Sequence, residues 1–568
     1  MEKMRFYLIG VVWLCAANFS FSHSLILSIY SAPVSYDMSL AGNFGEPRPH
    51  HFHGGIDVKT DGVEGKAIYS IGDGYVSRVT MGKYGFGNAV YVTHPEGYTS
   101  VYCHLKSFSP RIKAAMRRWQ YAHETSEGDA QLSPLDCPVS QGQLIALSGN
   151  TGHSTGPHLH LEIHNTETWN MLDPCDFIGD FINDTVPPRA HGVMACPQTG
   201  EGVFNQSASK QTFSISDSPM ERSFTAWGKV GFALWADDYM QASTNHFGIR
   251  ETILLVDGQE VFHAVVNDIP VEANRLVNSW GDYEYWRQHK TWYMKSFVEP
   301  GNMLPILRAE NRGVIDFCEE RDYQLEYILR DFKGNESHYA FVVRGEKTEI
   351  PPLSLPVIDG PSRLFRWNQT NTYSAPGIQL IVPYGLLTAD MLLQPIVRLR
   401  MDRLSDSYTF YPSSYPLVSD GEISIYAHPE RLEGREVTRR ELDPSKLYLM
   451  ADGRFAGGDY KDGWVSGPVR ELGSVYSLAY DDEAPEISPV TLGERVVLRL
   501  TDAGSGIASY TATIDGRFVV FDAADKQPLV ICDLSETPIR KTNRTHQLRF
   551  AATDNRQNTK VFETNIIY

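Results

Sequence analysis

A mostly β architecture is predicted for this chain of 568 residues. Aromatic residues make up 11% of the sequence, and glycine and proline interrupt it often. Tyrosine and phenylalanine favour strands, whereas glycine and proline mark the turns between them, and long stretches of helical periodicity are scarce. Because a chain of this length holds several domains, we expect an N-terminal antiparallel β-sheet domain followed by accessory β-sandwich domains.

The first residues predict a secretory signal peptide. Lys3 and Arg5 precede an apolar run over residues 6–17, which is too short to cross a bilayer and is followed by small residues up to Ser22. Cleavage near Ser22 would assign residues 1–22 to the signal peptide. No later segment has the length of a transmembrane helix. We therefore expect an exported protein, located in the periplasm, at the cell surface or outside the cell, and not an integral membrane protein.

One short stretch predicts a strand that carries histidines on one face. His158, His160 and Glu162 alternate with the apolar residues Leu159 and Leu161. This alternation has the period of a β-strand, so the two imidazoles point to the same side.

A second motif lies about a hundred residues earlier. His53 and Asp57 are four residues apart, a spacing that would share one face of a helix. The pair Gly54–Gly55 disfavours a helix, and the apolar residues on both sides of Asp57 favour a strand, where an even spacing also shares a face.

Together, the two motifs indicate a metal site with a free position. Two imidazoles and one carboxylate form a three-ligand zinc site that leaves the fourth position for water, which is the pattern of catalytic zinc. Histidine also suits proton transfer near neutral pH. The sequence contains no His-Glu-x-x-His motif, which excludes the helical metalloproteases. Base deaminases need a Pro-Cys-x-x-Cys motif, and Ile178 stands where its second cysteine would be.

These motifs resemble those of the lysostaphin-like zinc endopeptidases, which cut the peptide cross-links of bacterial cell walls. The matching segments are His53 to Asp57, Tyr102 to Leu105, and Gly149 to Glu162, within roughly residues 36 to 180. The resemblance implies an N-terminal zinc peptidase domain over residues 23–190, with one zinc ion. It further implies three zinc ligands and two unligated catalytic histidines, namely His53, Asp57 and His160 for the metal and His104 and His158 for catalysis.

Three further residues near these motifs have open assignments. Tyr102, two residues before His104, would share its face and could contact substrate or orient His104. Arg48 could bind a substrate carboxylate, although an exposed arginine in a proline-rich turn needs no such role. Glu162 could act as a general base or could orient a ligand imidazole.

An insertion over about residues 110–138 departs from the compact family pattern. Ile112, Met116 and Trp119 recur in it at helical spacing, with basic residues around them. One interpretation is a short helix packed on the β core with a solvated basic face. The other is a wall of the substrate groove, in which Arg117 and Arg118 would bind carboxylates of peptidoglycan stem peptides.

Beyond residue 190 the sequence contains an internal repeat. Gly248-Ile249 and Gly506-Ile507 are each followed at the same spacing by an Asp-Gly hairpin signal, and later by an Asp-x-x-x-Asn segment. We expect two related immunoglobulin-like β-sandwiches over residues 205–347 and 484–568. A β-rich domain of unidentified role would lie between them, at 357–483. Asp- and Asn-rich turns can bind calcium but usually do not, so no second metal is predicted.

Three functions are compatible with the sequence. The first is a zinc-dependent endopeptidase that hydrolyses peptide cross-links of bacterial peptidoglycan through a metal-activated water. The second is a catalytically inactive relative that regulates wall amidases, which the complete set of ligands disfavours. The third is a carboxypeptidase or a protease that acts on another peptide substrate. The net charge of −18 argues against nucleic acid as a partner.

Overall fold

A computed structural model describes residues 30–215, 224–241, 243–352, 363–432 and 442–568. The predicted signal peptide lies outside the described residues. Within these ranges the fold is mostly β, as predicted. Among the same residues, no helix has both the length and the apolar character that crossing a membrane requires.

The N-terminal domain is built on one antiparallel sheet in which His158–Asn165 is an interior strand. The sheet's main strands follow in spatial order: Leu40–Gly42, Ile56–Lys59, His158–Asn165, Tyr98–Cys103, Ala89–Thr93, Gly74–Met81 and Gly128–Gln131. The short strands Pro138–Val139, Met171–Leu172 and Asp268–Ile269 pair at its margins, and Pro47–Arg48 pairs with His51–Phe52 nearby. A smaller sheet contains Ala67–Tyr69, Leu144–Leu147 and Ser107–Phe108.

The register of this sheet brings the two predicted motifs together. The strand Ile56–Lys59 pairs antiparallel with His158–Asn165 and sets Asp57 directly opposite His160. The apolar residues of both strands, including Leu159 and Leu161, are fully buried in the domain core. Burial of one face therefore leaves the polar residues of both strands on the other face.

The insertion forms a helix, Pro110–His123, which we call the insertion helix. Pro110 occupies its first turn, where a missing N–H costs no hydrogen bond, and Glu124 ends it in a left-handed conformation with φ of 47°. Ile112 and Met116 are buried against the domain core, as the helical spacing predicts.

A second sheet follows, in the spatial order Gln211–Ser214, Arg189–Phe204, Phe224–Asp237, Glu336–Gly345, Asp322–Arg330, Glu251–Val256, Gln259–Val265 and Leu307–Ala309. The strands Met294–Lys295 and Ile315–Phe317 pair with Phe224–Asp237. The long strand Arg189–Phe204 crosses the predicted boundary at residue 190 and belongs to this sheet. Phe52 and Met171 of the N-terminal domain pack into its core, so the two units share apolar contacts.

Residues 363–480 form two five-stranded sheets and a strand pair. The first sheet comprises Asn371–Ala375, Ile378–Val382, Pro416–Tyr426, Trp464–Glu471 and Asp459–Lys461. The second comprises Ile396–Arg398, Ser407–Thr409, Tyr476–Tyr480, Leu447–Ala451 and Arg454–Phe455. The pair is Arg363–Phe365 with Met391–Leu393.

The last unit, called the C-terminal domain (residues 486–568), has two four-stranded sheets. One comprises Glu486–Leu492, Arg495–Thr501, Leu529–Asp533 and Asp522–Ala523, and the other comprises Arg517–Phe518, Ile507–Ile514, Thr545–Asp554 and Thr559–Ile567. Both predicted Asp-Gly hairpins form, with positive φ at Asp257, Gly258, Asp515 and Gly516. The immunoglobulin-like assignment of the two units stays a prediction.

Outside the insertion, helices are few and short in the described residues. The remaining α-helices there are Cys175–Ile178, Val277–Trp280 and Tyr283–His289. The 3-10 helices are Gly179–Phe181, Val271–Leu276, Glu310–Gly313, Pro429–Leu432, Pro444–Lys446 and Leu534–Glu536.

Candidate functional site

The three predicted metal ligands converge on the polar face of the N-terminal sheet. His160 Nδ1 lies 2.8 Å from Asp57 Oδ1 and 3.0 Å from His53 Nε2. His53 Nε2 lies 3.1 Å from Asp57 Oδ1, and all three side chains are buried. Tetrahedral zinc with bonds of about 2.0 Å separates its ligand atoms by roughly 3.3 Å. The three atoms therefore have nearly the spacing of three corners of a zinc site.

The second nitrogen of each ligand histidine faces an acceptor, which orients the ring. His53 Nδ1 donates to the carbonyl oxygen of Asn43 at 2.6 Å, and His160 Nε2 donates to Glu162 Oε1 at 2.9 Å. When both rings are neutral, each turns a lone pair toward the other ring and toward Asp57. Lone pairs and a carboxylate this close repel one another unless a cation lies among them, so the donor set fits a metal ion.

The titration of the metal-free site follows from the same contacts. Burial lowers the pKa of His53 to about 4. Burial also opposes charge on His160, but its hydrogen bonds with Asp57 and Glu162 outweigh burial and raise its pKa to about 9. Burial would raise the pKa of Asp57, whereas the neighbouring histidines hold it well below its ordinary value. The metal-free site thus keeps a proton at His160, which metal binding must release.

Glu162 occupies the position of a carboxylate that orients a ligand imidazole. Its Oε1 binds His160, and its Oε2 accepts a hydrogen bond from His164 Nε2 at 2.6 Å. Burial would raise the pKa of Glu162, but these two hydrogen bonds bring it below its ordinary value. His164 in turn contacts the carbonyl oxygen of Trp169 at 3.1 Å. With both carboxylate oxygens engaged, this geometry supports the orienting role over that of a general base.

Arg48 contacts the ligand carboxylate from the opposite side. Its Nη2 lies 3.1 Å from Asp57 Oδ2 and 3.4 Å from Glu46 Oε2. The Arg48 side chain remains one-third exposed at the rim of the site. It can therefore hold Asp57 in place and still present N–H groups to a ligand in the cleft.

Close backbone approach explains Gly55, the second of the two glycines between His53 and Asp57. A Cβ added at Gly55 would lie 2.1 Å from the carbonyl oxygen of Leu161. Any larger residue would push the loop away from the strand that carries His160. The absence of a side chain at Gly55 thus lets the two ligand-bearing segments touch.

His158 lies beside the metal ligands, as its place on the strand predicts. Its Nε2 is 3.4 Å from Asp57 Oδ1. Its Nδ1 lies 2.8 Å from the carbonyl oxygen of Gly156, to which it donates. With Nδ1 engaged in this way, Nε2 is the ring nitrogen that faces the site.

His104 is placed next to His158 by an irregular backbone. The strand Tyr98–Cys103 ends just before it, and His104 itself has a φ of 59°. Its Nδ1 donates to the carbonyl oxygen of Thr151 at 2.8 Å, which leaves the lone pair on Nε2. The ring centroids of His104 and His158 are 4.9 Å apart. Burial lowers the pKa of His104 to about 3, so the ring is neutral at physiological pH.

A cleft of about 830 Å³ opens over these residues. Its floor contains the side chains of the predicted ligands and catalytic histidines, namely His53, Asp57, His104, His158 and His160. Its walls include Arg48, His51, Phe86, His153, Pro157 and Asn245. The Phe86 ring stacks on the His160 ring at 5.9 Å between centroids. The cleft therefore has one apolar wall beside the three predicted metal ligands.

Tyr102 does not reach this cleft, contrary to the predicted substrate contact. Its side chain is fully buried, and its hydroxyl accepts hydrogen bonds from Ile71 N at 2.8 Å and Ser100 Oγ at 3.0 Å. The left-handed φ of His104 breaks the strand alternation, so the two residues do not share a face. Tyr102 thus packs the core.

The basic residues of the insertion helix also lie away from the cleft, contrary to the predicted substrate contact. Arg117 forms hydrogen bonds with Asp522 and Glu536 of the C-terminal domain. Arg118 is exposed on the same helix and does not line the cleft. The structure thus commits Arg117 to a contact between domains and leaves Arg118 in solvent.

The C-terminal domain borders the cleft, which the sequence did not indicate. Asp525 Oδ1 accepts a hydrogen bond from Gly152 N at 3.1 Å, and Lys526 Nζ donates to the carbonyl oxygen of Ser154 at 2.8 Å. Both contacts lie on the loop that precedes His158. Contacts between residues so far apart along the chain leave no local signal in the sequence. The backbone carbonyls that orient the histidines leave no such signal either.

Comparison with known families supports the resemblance stated above. Residues 51–118 and 120–174 match the family model described as Peptidase family M23, which contains lysostaphin-like peptidases. Residues 362–481 match the model described as a Zu5-like domain, over nearly the range of the predicted β-rich domain.

Several curated proteins are similar over the same N-terminal region. Peptidoglycan DD-endopeptidase ShyA of Vibrio cholerae is 32% identical over 137 residues, which are 23% of this chain and 26% of that protein. DD-carboxypeptidase/endopeptidase Mpg of Neisseria meningitidis is 31% identical over 140 residues, 24% of this chain and 25% of that protein. An uncharacterized metalloprotease of Haemophilus influenzae is 34% identical over 120 residues, 21% of this chain and 19% of that protein. The chain thus spans about a quarter of these relatives or less.

Solved structures also align with this region. A zinc-containing peptidase from Vibrio cholerae is 30% identical, with a TM-score of 0.17 over 23% of this chain and 35% of that one. The catalytic domain of lysostaphin from Staphylococcus simulans is 23% identical, with a TM-score of 0.19 over 25% of this chain and 91% of that one.

Proposed function

Since the N-terminal region contains a peptidase family M23 domain, we propose that the protein is a zinc-dependent endopeptidase that hydrolyses peptide cross-links of bacterial peptidoglycan. The observation that carries the proposal is the convergence of His53, Asp57 and His160, with His104 and His158 beside them. A site with two imidazoles, one carboxylate and two further histidines has the groups that amide hydrolysis needs.

Zinc is the metal that this donor set fits best. Its ligands would be His53 Nε2, Asp57 Oδ1 and His160 Nδ1, whose mutual distances are close to those around tetrahedral zinc. Bound there, zinc would polarise the scissile carbonyl and lower the pKa of a water molecule. Glu162 and the Asn43 carbonyl keep the two rings aligned for this purpose.

The two remaining histidines are proposed to handle protons and charge. Each donates Nδ1–H to a backbone carbonyl and presents Nε2 toward the ligands. A neutral His104 can accept a proton from the attacking water and pass that proton to the leaving amine, and His158, beside Asp57, can stabilise the oxyanion when its Nε2 carries a proton. Their assignment to separate steps is part of the proposal.

The substrate class follows from the relatives and from charge. Two relatives bear names with DD-endopeptidase or DD-carboxypeptidase/endopeptidase activity, which favours D,D bonds of stem-peptide cross-links as the target. Arg48 at the rim is proposed to bind a carboxylate of the stem peptide. The predicted signal peptide would deliver the protein to the periplasm or the cell surface, where this substrate lies.

Two alternatives differ in what they require. A regulator without catalysis would not need the complete set of ligands and catalytic histidines that the cleft contains. A carboxypeptidase is favoured by the name of the Neisseria relative, and it would remove terminal residues from uncrosslinked stems.

Digestion of purified cross-linked peptidoglycan tests the proposal. The mature protein with zinc should convert dimeric muropeptides to monomers, and the masses of the fragments identify the bond. Chelated protein and the His160→Ala variant serve as inactive controls. Shortened monomers with intact dimers would establish the carboxypeptidase instead. Intact dimers and monomers with zinc bound would contradict both enzymatic functions.

A further inference from the structure

Three buried aspartates meet where the chain leaves the N-terminal domain. Asp184 lies in the segment that connects the helical turn Gly179–Phe181 to the strand Arg189–Phe204. Asp238 directly follows the strand Phe224–Asp237, and Asp331 follows Asp322–Arg330. Their exposed fractions are 5%, 1% and 5%, and one oxygen of each lies within 4.8 Å of the others.

Two oxygens of this cluster have no hydrogen-bond partner although they are buried. These are Asp184 Oδ2 and Asp238 Oδ1. In the described part of the chain, no lysine, arginine or histidine forms an ion pair with any of the three carboxylates. Burial of three carboxylates this close together is costly unless protons or a cation neutralise them.

Backbone N–H groups and the Asn335 side chain hold Asp331 in the cluster. Asp331 Oδ1 accepts hydrogen bonds from Lys333 N at 2.7 Å and Asn335 N at 3.0 Å, and Asn335 Nδ2 donates to Asp331 Oδ2 at 2.6 Å. The same Asn335 amide contacts the carbonyl oxygen of Asp184 at 3.4 Å. These contacts hold Asp331 close to the connecting segment, while Asp184 Oδ2 and Asp238 Oδ1 have no hydrogen-bond partner.

The C-terminal domain contains a matched arrangement that differs in one respect. Asp554 and Asn558 repeat the Asp331–Asn335 contacts, and Asn558 Nδ2 donates to the carbonyl oxygen of Asp481 at 2.8 Å. There, however, Asp481 Oδ2 accepts a hydrogen bond from Ser505 N at 2.7 Å, and Asp502 Oδ1 accepts from two backbone N–H groups. No buried carboxylate oxygen of this second cluster, which lies wholly within the described residues, lacks a hydrogen-bond partner, whereas Asp184 Oδ2 and Asp238 Oδ1 of the first cluster do.

We propose that Asp184, Asp238 and Asp331 bind a divalent cation of the calcium class at the junction between the N-terminal domain and the following sheet. All donor atoms of the cluster are oxygens. Hard cations such as calcium prefer oxygen ligands, whereas zinc does not depend on them. Calcium accepts irregular oxygen cages with six to eight ligands, including carbonyl oxygens and water. The ion would tie the connecting segment to the ends of two strands and so hold the peptidase domain against its neighbour.

The competing explanation is protonation of the cluster. Burial, with the charges of Asp184 and Asp331, raises the pKa of Asp238 to about 8, and burial raises that of Asp184 to about 6. A protonated cluster and a calcium-loaded cluster respond oppositely to an Asp238→Asn substitution, which removes a charge but keeps the shape. If the cluster is protonated, Asp238→Asn should stabilise the folded protein. If the cluster is loaded with calcium, the same substitution should weaken calcium binding and destabilise the folded protein.

Calcium titration of the full-length mature protein tests the site. Calcium is first removed on a chelating resin, zinc content is checked by elemental analysis, and binding is followed by calorimetry with calcium chloride. The wild type should bind calcium, and Asp238→Asn should lose one bound ion or weaken its binding about tenfold or more, since ligand charge sets affinity. Asp502→Asn, in the matched cluster, is the control. This variant should still bind the calcium ion proposed at Asp184, Asp238 and Asp331.

Thermal unfolding supplies the second readout, independent of peptidase activity. Calcium should raise the unfolding midpoint of the wild type, magnesium should raise it less, and Asp238→Asn should lower the midpoint in calcium and abolish the calcium effect. Wild-type protein that neither binds calcium nor gains stability from it overturns the proposal, even if the variant fails to fold. A more stable Asp238→Asn variant without calcium dependence would establish protonation instead.

Discussion

Arg117 binds both carboxylate oxygens of Asp522, 405 positions later in the chain. Its Nη1 lies 2.7 Å from Asp522 Oδ1, and its Nη2 contacts Oδ2. Glu536 Oε2 lies 3.5 Å from the same nitrogen, and the Arg117 side chain is only 18% exposed. This paired contact joins the insertion helix to the C-terminal domain, whose loop at residues 525–526 touches the wall of the cleft.

Arg117→Ala should weaken the docking of the C-terminal domain. Loss of a partly buried, two-point charged hydrogen bond costs on the order of 1–3 kcal/mol. We expect a lower unfolding midpoint and faster limited proteolysis between the domains, with a smaller additional effect when Asp522→Ala is combined with it. Arg118→Ala, on the exposed face, is the matched control. Equal behaviour of the two arginine variants would refute the role of this ion pair.

His160→Ala and Asp57→Ala should each lose both the bound metal and the activity. A site with three protein ligands cannot lose one and keep a tetrahedral ion tightly bound. Zinc per chain, measured by elemental analysis after gel filtration, should fall well below that of the wild type. The control is His123→Ala, an exposed histidine on the insertion helix. A metal-replete His160→Ala protein would show that the ligand assignment is wrong.

His104→Ala and His158→Ala should keep zinc and lose turnover. Neither ring is needed to complete the three-ligand set, but both face the cleft beside it. We expect kcat to fall roughly 100-fold or more if proton transfer is their role. The measurement is cleavage of dimeric muropeptides, with zinc content determined on the same samples. If His158→Ala lost zinc while His160→Ala retained it, their roles would be exchanged.

Glu162→Gln should reduce metal affinity without abolishing the fold. The amide keeps the size of the side chain but removes the charge that orients His160 Nε2–H. Loss of such an outer carboxylate typically costs about 10–100-fold in metal affinity or activity. Competition with a chromogenic chelator measures the affinity. An unchanged zinc affinity with lost turnover would instead favour Glu162 as a general base.

Acidification should destabilise the protein in part through His104. Its pKa is about 3 in the folded protein and near 6.5 in the unfolded chain, so only the unfolded chain binds this proton between those values. As the pH falls from about 6.5 to about 3, this group lowers the free energy of unfolding by about 1.4 kcal/mol per pH unit. Denaturant unfolding at several pH values should therefore show a shallower decline for His104→Ala. Parallel curves would contradict the shifted pKa.

Much of the site could be predicted from local patterns. The period of two over residues 158–162 placed both histidines on one face, because successive side chains of a strand alternate sides. The helical spacing of Ile112 and Met116 likewise predicted the insertion helix. In both elements one face is buried, and this burial imposes a regular spacing of apolar residues that is visible in the local sequence.

The assignments of Tyr102 and Arg117 failed for the opposite reason. Strand alternation cannot foresee the positive φ of His104, which redirects its side chain and leaves Tyr102 in the core. The partner of Arg117 lies on a different domain. Neither fact has a signature in the neighbouring sequence.

The residue types that could form the metal site, and the face of the strand His158–Asn165 on which two of the histidines stand, follow from the sequence alone. The folded chain was needed to show that Asn43, Thr151 and Gly156 orient the rings through their carbonyls, and that the C-terminal domain binds the loop before His158. Side-chain periodicity is a local property of the backbone, whereas these contacts depend on how distant segments meet. Every residue has a carbonyl group, so its use as a partner becomes visible only when the chain is folded.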